Sequence, residues 1–237
     1  MRKWMFVFLS IMLVSGLSAC GRDGQRTNES SVNVAPAVKK ENTEEKDSKT
    51  GNTNVLIAYF TVPEDVSTSG NDAVAGASIV VKNSEKMGNT EYVASLVQEV
   101  TGGDLFQIET KDAYPLEHDT LVDQAADEQD NNLRPELSSH VENFEKYDTV
   151  ILGFPNWWAD LPMPVYSFLE EYDFGTKTII PFVTHGGSGF SNTVNTISKL
   201  QPDANVSSNT LSLSRENVAD SEGEVKEWAE SLGLDIQ

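Results

Sequence analysis

The sequence predicts an α/β domain, a parallel sheet with helices on both faces. Two observations carry that prediction. Short apolar runs alternate with amphipathic stretches about five times between residue 54 and the end of the chain. The first run, VLIAYF (55–60), is continuously apolar, as a strand covered on both faces must be. Such alternation builds βαβ units, and these close into a parallel sheet.

The elements follow in order. After VLIAYF, the stretch TEYVASLVQEVTG sets Val93, Leu96, Val97 and Val100 at helical spacing and stops at Gly102. DLFQIE (104–109) alternates like a strand nearer an edge, and an acidic helical region follows until Pro135 breaks it. DTVILGF (148–154) reads as a second buried strand. LPMPVYSFLEEY reads as a helix entered through prolines, with Val165, Phe168 and Leu169 facing inward. KTIIPFVTH gives a further strand, NTVNTISKL a helix, NVSSNTLSL a weak last strand and EGEVKEWAESLGL a closing helix. One segment interrupts this scheme. Residues 62–87 are too long for a typical βα loop, and SIVV (78–81) within them suits a small hairpin.

The N-terminus has a separate character. Arg2 and Lys3 precede an apolar run from Trp4 to Leu17, which ends in LSAC at the only cysteine of the chain, Cys20. A charged start, a short apolar run and small residues at the cut mark an export signal, and the run is shorter than the roughly 20 residues of a membrane-spanning helix. LSAC resembles the lipobox of bacterial lipoproteins. Residues 1–20 are therefore expected to be a lipoprotein signal peptide, with Cys20 lipidated and the protein held on the extracytoplasmic side of a bacterial membrane by that anchor alone. Residues 21–53 are polar and poor in large apolar groups, so they are expected to be a disordered tether.

Residues 54–237 form the predicted domain and carry nine basic and 31 acidic side chains, a net charge of −22. That excess argues against nucleic acid and against direct contact with an anionic membrane surface. Three scattered histidines and no cysteine in the domain supply no metal-ligand cluster.

In open parallel sheets ligands bind beyond the carboxyl ends of the strands, where the strand order reverses. Three loops fall there. The first ends in GNTEYVA, where Gly88 permits close backbone approach and Asn89 or Thr90 is expected to cap the next helix; a helix N-terminus is an anion site. A phosphate there is expected to rest on neutral donors, without help from Lys or Arg. The loop after the third main strand holds Pro155, Asn156, Trp157 and Trp158, an aromatic wall for a planar ring or a plug over the sheet end. The loop after the fourth is THGGSGF, in which Thr184, Gly186, Gly187, Ser188 and Gly189 can bring backbone N–H groups close to a ligand. His185, in the same loop, is expected to be the one histidine near the site.

A phosphate cradle, an aromatic wall and a glycine-rich strip together suit a flavin mononucleotide. The combination resembles the flavodoxin family, above all a branch with PNWW after the third strand and THGGSGF after the fourth. The likeness covers residues 55–237. It implies a three-layer sandwich on a five-stranded parallel sheet of order 2-1-3-4-5. It implies FMN as cofactor, with Thr61, Gly88, Asn89 and Thr90 at the phosphate and residues 155–158 and 184–189 around the ring. It departs from the family in one place, because the insertion splits the phosphate loop between Thr61 and Gly88.

The function expected from this likeness is electron transfer, or reduction of a small acceptor such as a quinone, with a redox partner protein or small-molecule acceptor. His185 is the candidate for hydrogen bonding or protonation near the ring. Acidic surroundings and an apolar wall disfavour the negative charge of a reduced flavin, so a low potential is expected for the last reduction step. Two other classes compete. A binding lipoprotein on the same fold need hold no cofactor. A serine hydrolase is suggested by HGGSGF, but the G-x-S-x-G elbow requires glycine where Phe190 stands.

Overall fold

The computed structural model describes residues 54–65, 78–82 and 84–234. The signal peptide, Cys20, the tether and the middle of the insertion lie outside the described residues.

The main sheet is wholly parallel. Strand β1 (Val55–Tyr59) lies between β4 (Asp104–Gln107) and β5 (Thr149–Pro155), and β6 (Thr178–His185) lies beyond β5. The far edge of β6 is paired by two short pieces, β7 (Asn205–Val206) and β8 (Leu211–Ser214). Counting main-sheet strands alone, the order is the expected 2-1-3-4-5, with the weak fifth strand broken in two. Its sequence explains the break, since NVSSNT offers no apolar side chain between Val206 and Leu211.

Alternate residues of each strand feed opposite faces. Leu56, Ala58, Val150, Leu152 and Ile179 pack into one core with Val165, Phe168 and Leu169 of α3 (Met163–Glu171) and Ile197 of α4 (Thr193–Leu200). Val55, Ile57, Ile151, Ile180 and Phe182 pack into the other, under α1 (Asn89–Thr101) and α5 (Glu222–Ser231). Helix α2 (His118–Asp130) joins the first side through Leu121. The apolar area removed from water on both faces holds the three layers together.

The insertion returns as the expected hairpin. Strands β2 (Ile79–Lys82) and β3 (Glu85–Gly88) pair antiparallel, with Ile79 opposite Gly88. Val80 is fully buried in the second core. Lys82 Nζ donates to the Tyr92 hydroxyl at 2.9 Å and lies 3.6 Å from Glu222, which ties the hairpin to α1 and α5. The start of α1 differs from expectation. Gly88 is the N-cap, and Asn89 and Thr90 are the first helical residues. The Glu91 carboxylate accepts the Gly88 N–H at 3.0 Å, so a side chain one turn inside the helix does the capping.

Candidate functional site

The site lies where β5 and β6 end, over the start of α1. After Pro155 the chain makes a tight turn. Trp157 and Asp160 exchange both backbone hydrogen bonds, at 3.1 and 2.9 Å, leaving Trp158 and Ala159 at the corner. Both corner residues have positive φ, 51° and 63°. That is the two-residue hairpin turn normally made by Asn-Gly, and side chains there cost about 1–2 kcal/mol each. The Asp160 carboxylate holds the turn, accepting the Leu161 N–H at 2.9 Å and the Tyr166 hydroxyl at 2.8 Å.

The turn separates the two indoles. Trp157 points inward, edge-on to Phe60 (centroids 5.2 Å apart) and Tyr114 (5.6 Å). Beneath it the Tyr114 hydroxyl donates to buried Glu128. Burial first, then Glu128, raises the Tyr114 pKa far above its ordinary value, so the phenol keeps that proton. Trp158 stays 55% exposed, its Nε1 donating to the Val122 carbonyl of α2 at 3.2 Å. One indole supports the wall and the other is its open surface.

Asn156 locks the two loops together. Its N–H donates to the Thr184 carbonyl at 2.9 Å, and its Nδ2 donates to the Gly189 carbonyl at 2.7 Å and to Ser191 Oγ at 3.0 Å. Its Oδ1 is buried and has no partner among the described residues. In the next loop the Gly187 N–H donates to His185 Nδ1 at 2.9 Å, which places the proton of a neutral ring on Nε2. Burial holds the His185 pKa below its ordinary value.

Around the start of α1 the hydroxyls turn inward. Thr61 Oγ1 packs against Gly88, so the two halves of the split loop do meet. Thr90 Oγ1 and Thr184 Oγ1 are hydrogen-bonded at 2.9 Å in the interior. The Asn89 N–H donates to the Ser78 carbonyl at 2.9 Å, while Asn89 Oδ1 is buried with no partner among the described residues.

One cleft of about 720 Å³, measured with its open mouth, gathers Asn89, residues 155–158 and Thr184, His185 and Gly186. All three loops therefore meet at one rim. Six expected contacts do not line this cleft. Thr61, Gly88 and Thr90 are buried, and Gly187, Ser188 and Gly189 lie outside its lining.

The cleft also takes residues that were not expected. Glu64 and Ser78 come from the insertion, His118 from the start of α2 and Arg215 from the end of β8. Glu64 is buried and accepts from Ser78 Oγ at 3.3 Å, with His118 Nδ1 at 3.2 Å. His185 is thus not the one histidine at the site, and the cleft does have a cation. The only signal for Arg215 was an arginine directly after the last predicted strand.

Fold and cleft define an open α/β protein with a cleft beyond the carboxyl ends of its parallel strands, where ligands bind in such sheets. The flavodoxin family matches residues 78–232, and the chain belongs to that family. A protein provisionally designated a flavoprotein, from Bacteroides eggerthii DSM 20697, is 25% identical with a TM-score of 0.58 over 78% of this chain and 100% of its own. A second, from Bacteroides uniformis ATCC 8492, is 28% identical with a TM-score of 0.54 over 76% of this chain and 99% of its own. No curated protein sequence matches the chain.

Proposed function

We propose that this protein binds FMN in the cleft and uses it to carry electrons or to reduce a small acceptor such as a quinone. The observation that carries the reading is the cleft itself: a half-exposed indole, Trp158, lines it together with Asn89 and Asn156, whose buried amide oxygens have no partner among the described residues. A planar heterocycle with donors and acceptors on its rim suits that combination, because stacking covers Trp158 and its polar edge satisfies the amides. Membership of the flavodoxin family supports a flavin, and FMN is the cofactor that this family implies.

FMN, when bound, supplies the one- and two-electron chemistry that no side chain here can provide. The chain supplies the rest. Trp158 and Pro155 cover ring surface, Asn156 keeps the two flanking loops in register, and neutral His185 offers its Nε2–H as a donor. Helix α1 presents its N-terminus through Asn89 on the side where the phosphate is expected. Lipid attachment at Cys20 would hold the domain on the outer face of a bacterial membrane.

An absorption spectrum of the purified protein with added FMN tests the reading. A bound spectrum with quenched flavin fluorescence is expected, and a colourless protein with unquenched FMN overturns it. The internal use of the Thr61 and Thr90 hydroxyls favours a second reading, a binding lipoprotein that holds no cofactor. Unchanged FMN affinity on Trp158→Ala would support that alternative. A serine hydrolase finds no support: with Nδ1 accepting from the Gly187 N–H, the neutral His185 ring carries its proton on Nε2, the atom that would have to accept one from a serine hydroxyl.

A further inference from the structure

Arg215 stands directly after β8, where parallel pairing sets that strand beside the end of β6. Its N–H donates to the His185 carbonyl at 2.8 Å. Its guanidinium lies broadside to Gly186, with Cζ, Nε and Nη1 at 3.4, 3.6 and 3.6 Å from where a Cβ would sit. It therefore lines the cleft beside Gly186.

The charge of this arginine is uncommitted. Seven of the nine basic residues of 54–237 hold a carboxylate or a backbone carbonyl. Only Lys199 and Arg215 hold neither through their side chains among the described residues, and of the two only Arg215 faces the cleft. In a domain of net charge −22, carboxylates are abundant, yet among the described residues none closes on this guanidinium. A guanidinium presents coplanar donors that match two adjacent acceptors in one plane. Such a pair occurs on the pyrimidine edge of a flavin ring, and the apolar wall beside it lowers the local dielectric and strengthens charge interactions.

We propose that Arg215 contacts this acceptor edge and stabilises the negative charge that reduction places there, opposing the low potential that the acidic surroundings would impose. The inference rests on the FMN reading above. Uptake of two electrons and one proton per ring, with dithionite oxidised to sulfite as donor, leaves one net negative charge for the guanidinium to balance.

The experiment uses full-length protein in detergent, as wild type, Arg215→Gln and Arg215→Lys. Affinities for oxidised and dithionite-reduced FMN, and for riboflavin in both states, are measured for each. Arg215→Gln is expected to weaken binding of the reduced form at least tenfold more than the oxidised form, a shift of about 30 mV for a two-electron couple. The same ratio is expected with riboflavin, and Arg215→Lys should keep most of the preference. Equal loss for both redox states, loss with FMN but not riboflavin, or no change overturns the proposal and leaves the FMN reading intact. Absence of flavin binding by the wild type overturns both. Should Arg215→Gln not fold by circular dichroism, Arg215→Met is read in its place against the same outcomes.

Discussion

Thr61 Oγ1 lies 1.9 Å from the point that a Cβ on Gly88 would occupy. Twenty-seven residues apart in sequence, the two sit in direct contact, so the insertion leaves the chain after Thr61 and returns to the same place at Gly88. Gly88 has φ −70°, an ordinary value, so the glycine is required by this contact and not by its backbone conformation. Gly88→Ala is expected to lower stability by about 1–3 kcal/mol through overpacking. Thr61→Ala should recover part of that loss in the double variant, which denaturant unfolding would show as a favourable coupling energy. Additive losses would contradict the contact.

The two tryptophans should separate stability from binding. Trp157→Ala removes a ring packed on Phe60 and Tyr114, and is expected to cost about 2–4 kcal/mol in denaturant unfolding. Trp158→Ala removes an exposed ring, leaves stability within about 1 kcal/mol, and should weaken FMN binding on the order of tenfold through lost stacking. Comparable effects of both substitutions on both measurements would refute the division of labour.

Ala159 offers a sharper test of the turn. At φ 63° its Cβ is disfavoured, and glycine carries no such penalty. Ala159→Gly is expected to raise or hold stability, by up to about 1 kcal/mol, despite its greater freedom when unfolded. A fall in the midpoint of unfolding would show that the corner is not left-handed.

His185 makes stability depend on pH. Its pKa is held below the ordinary value by burial, and its Nδ1 is already an acceptor for the Gly187 N–H, so protonation must break that bond. The unfolded chain binds this proton first. The contribution is therefore complete above the unfolded pKa of about 6.5 and is lost as pH falls from there through the lower folded value. Unfolding free energies between pH 8 and 5 should fall more for wild type than for His185→Gln; parallel curves would remove His185 as the cause.

Glu64 places a carboxylate one hydrogen-bonded residue from the start of α1, through Ser78. An anion there competes with a ligand phosphate for the same helix end. Glu64→Gln is expected to tighten FMN binding several-fold with little effect on riboflavin, by titration of flavin fluorescence. An equal change for both ligands would place Glu64 away from the phosphate.

What the sequence alone determined here is local or periodic. Apolar spacing laid down the strands, the helices and their order, because burial on one or both faces dictates which positions must be apolar. It also located Trp157 and Trp158, His185 and Gly186 at strand ends, where an open sheet leaves room for a ligand. Only the tertiary structure decided which side chains at that rim face the cleft. Thr61 and Thr90 bear the expected hydroxyls, but packing against Gly88 and Thr184 turns them inward. Glu64, His118 and Arg215 reach the cleft from the insertion, from α2 and from the end of the fifth main strand. Their arrival depends on how elements far apart in sequence come to lie side by side. Pairing of β8 with β6 brings Arg215 to Gly186, and no pattern within either segment encodes that distance.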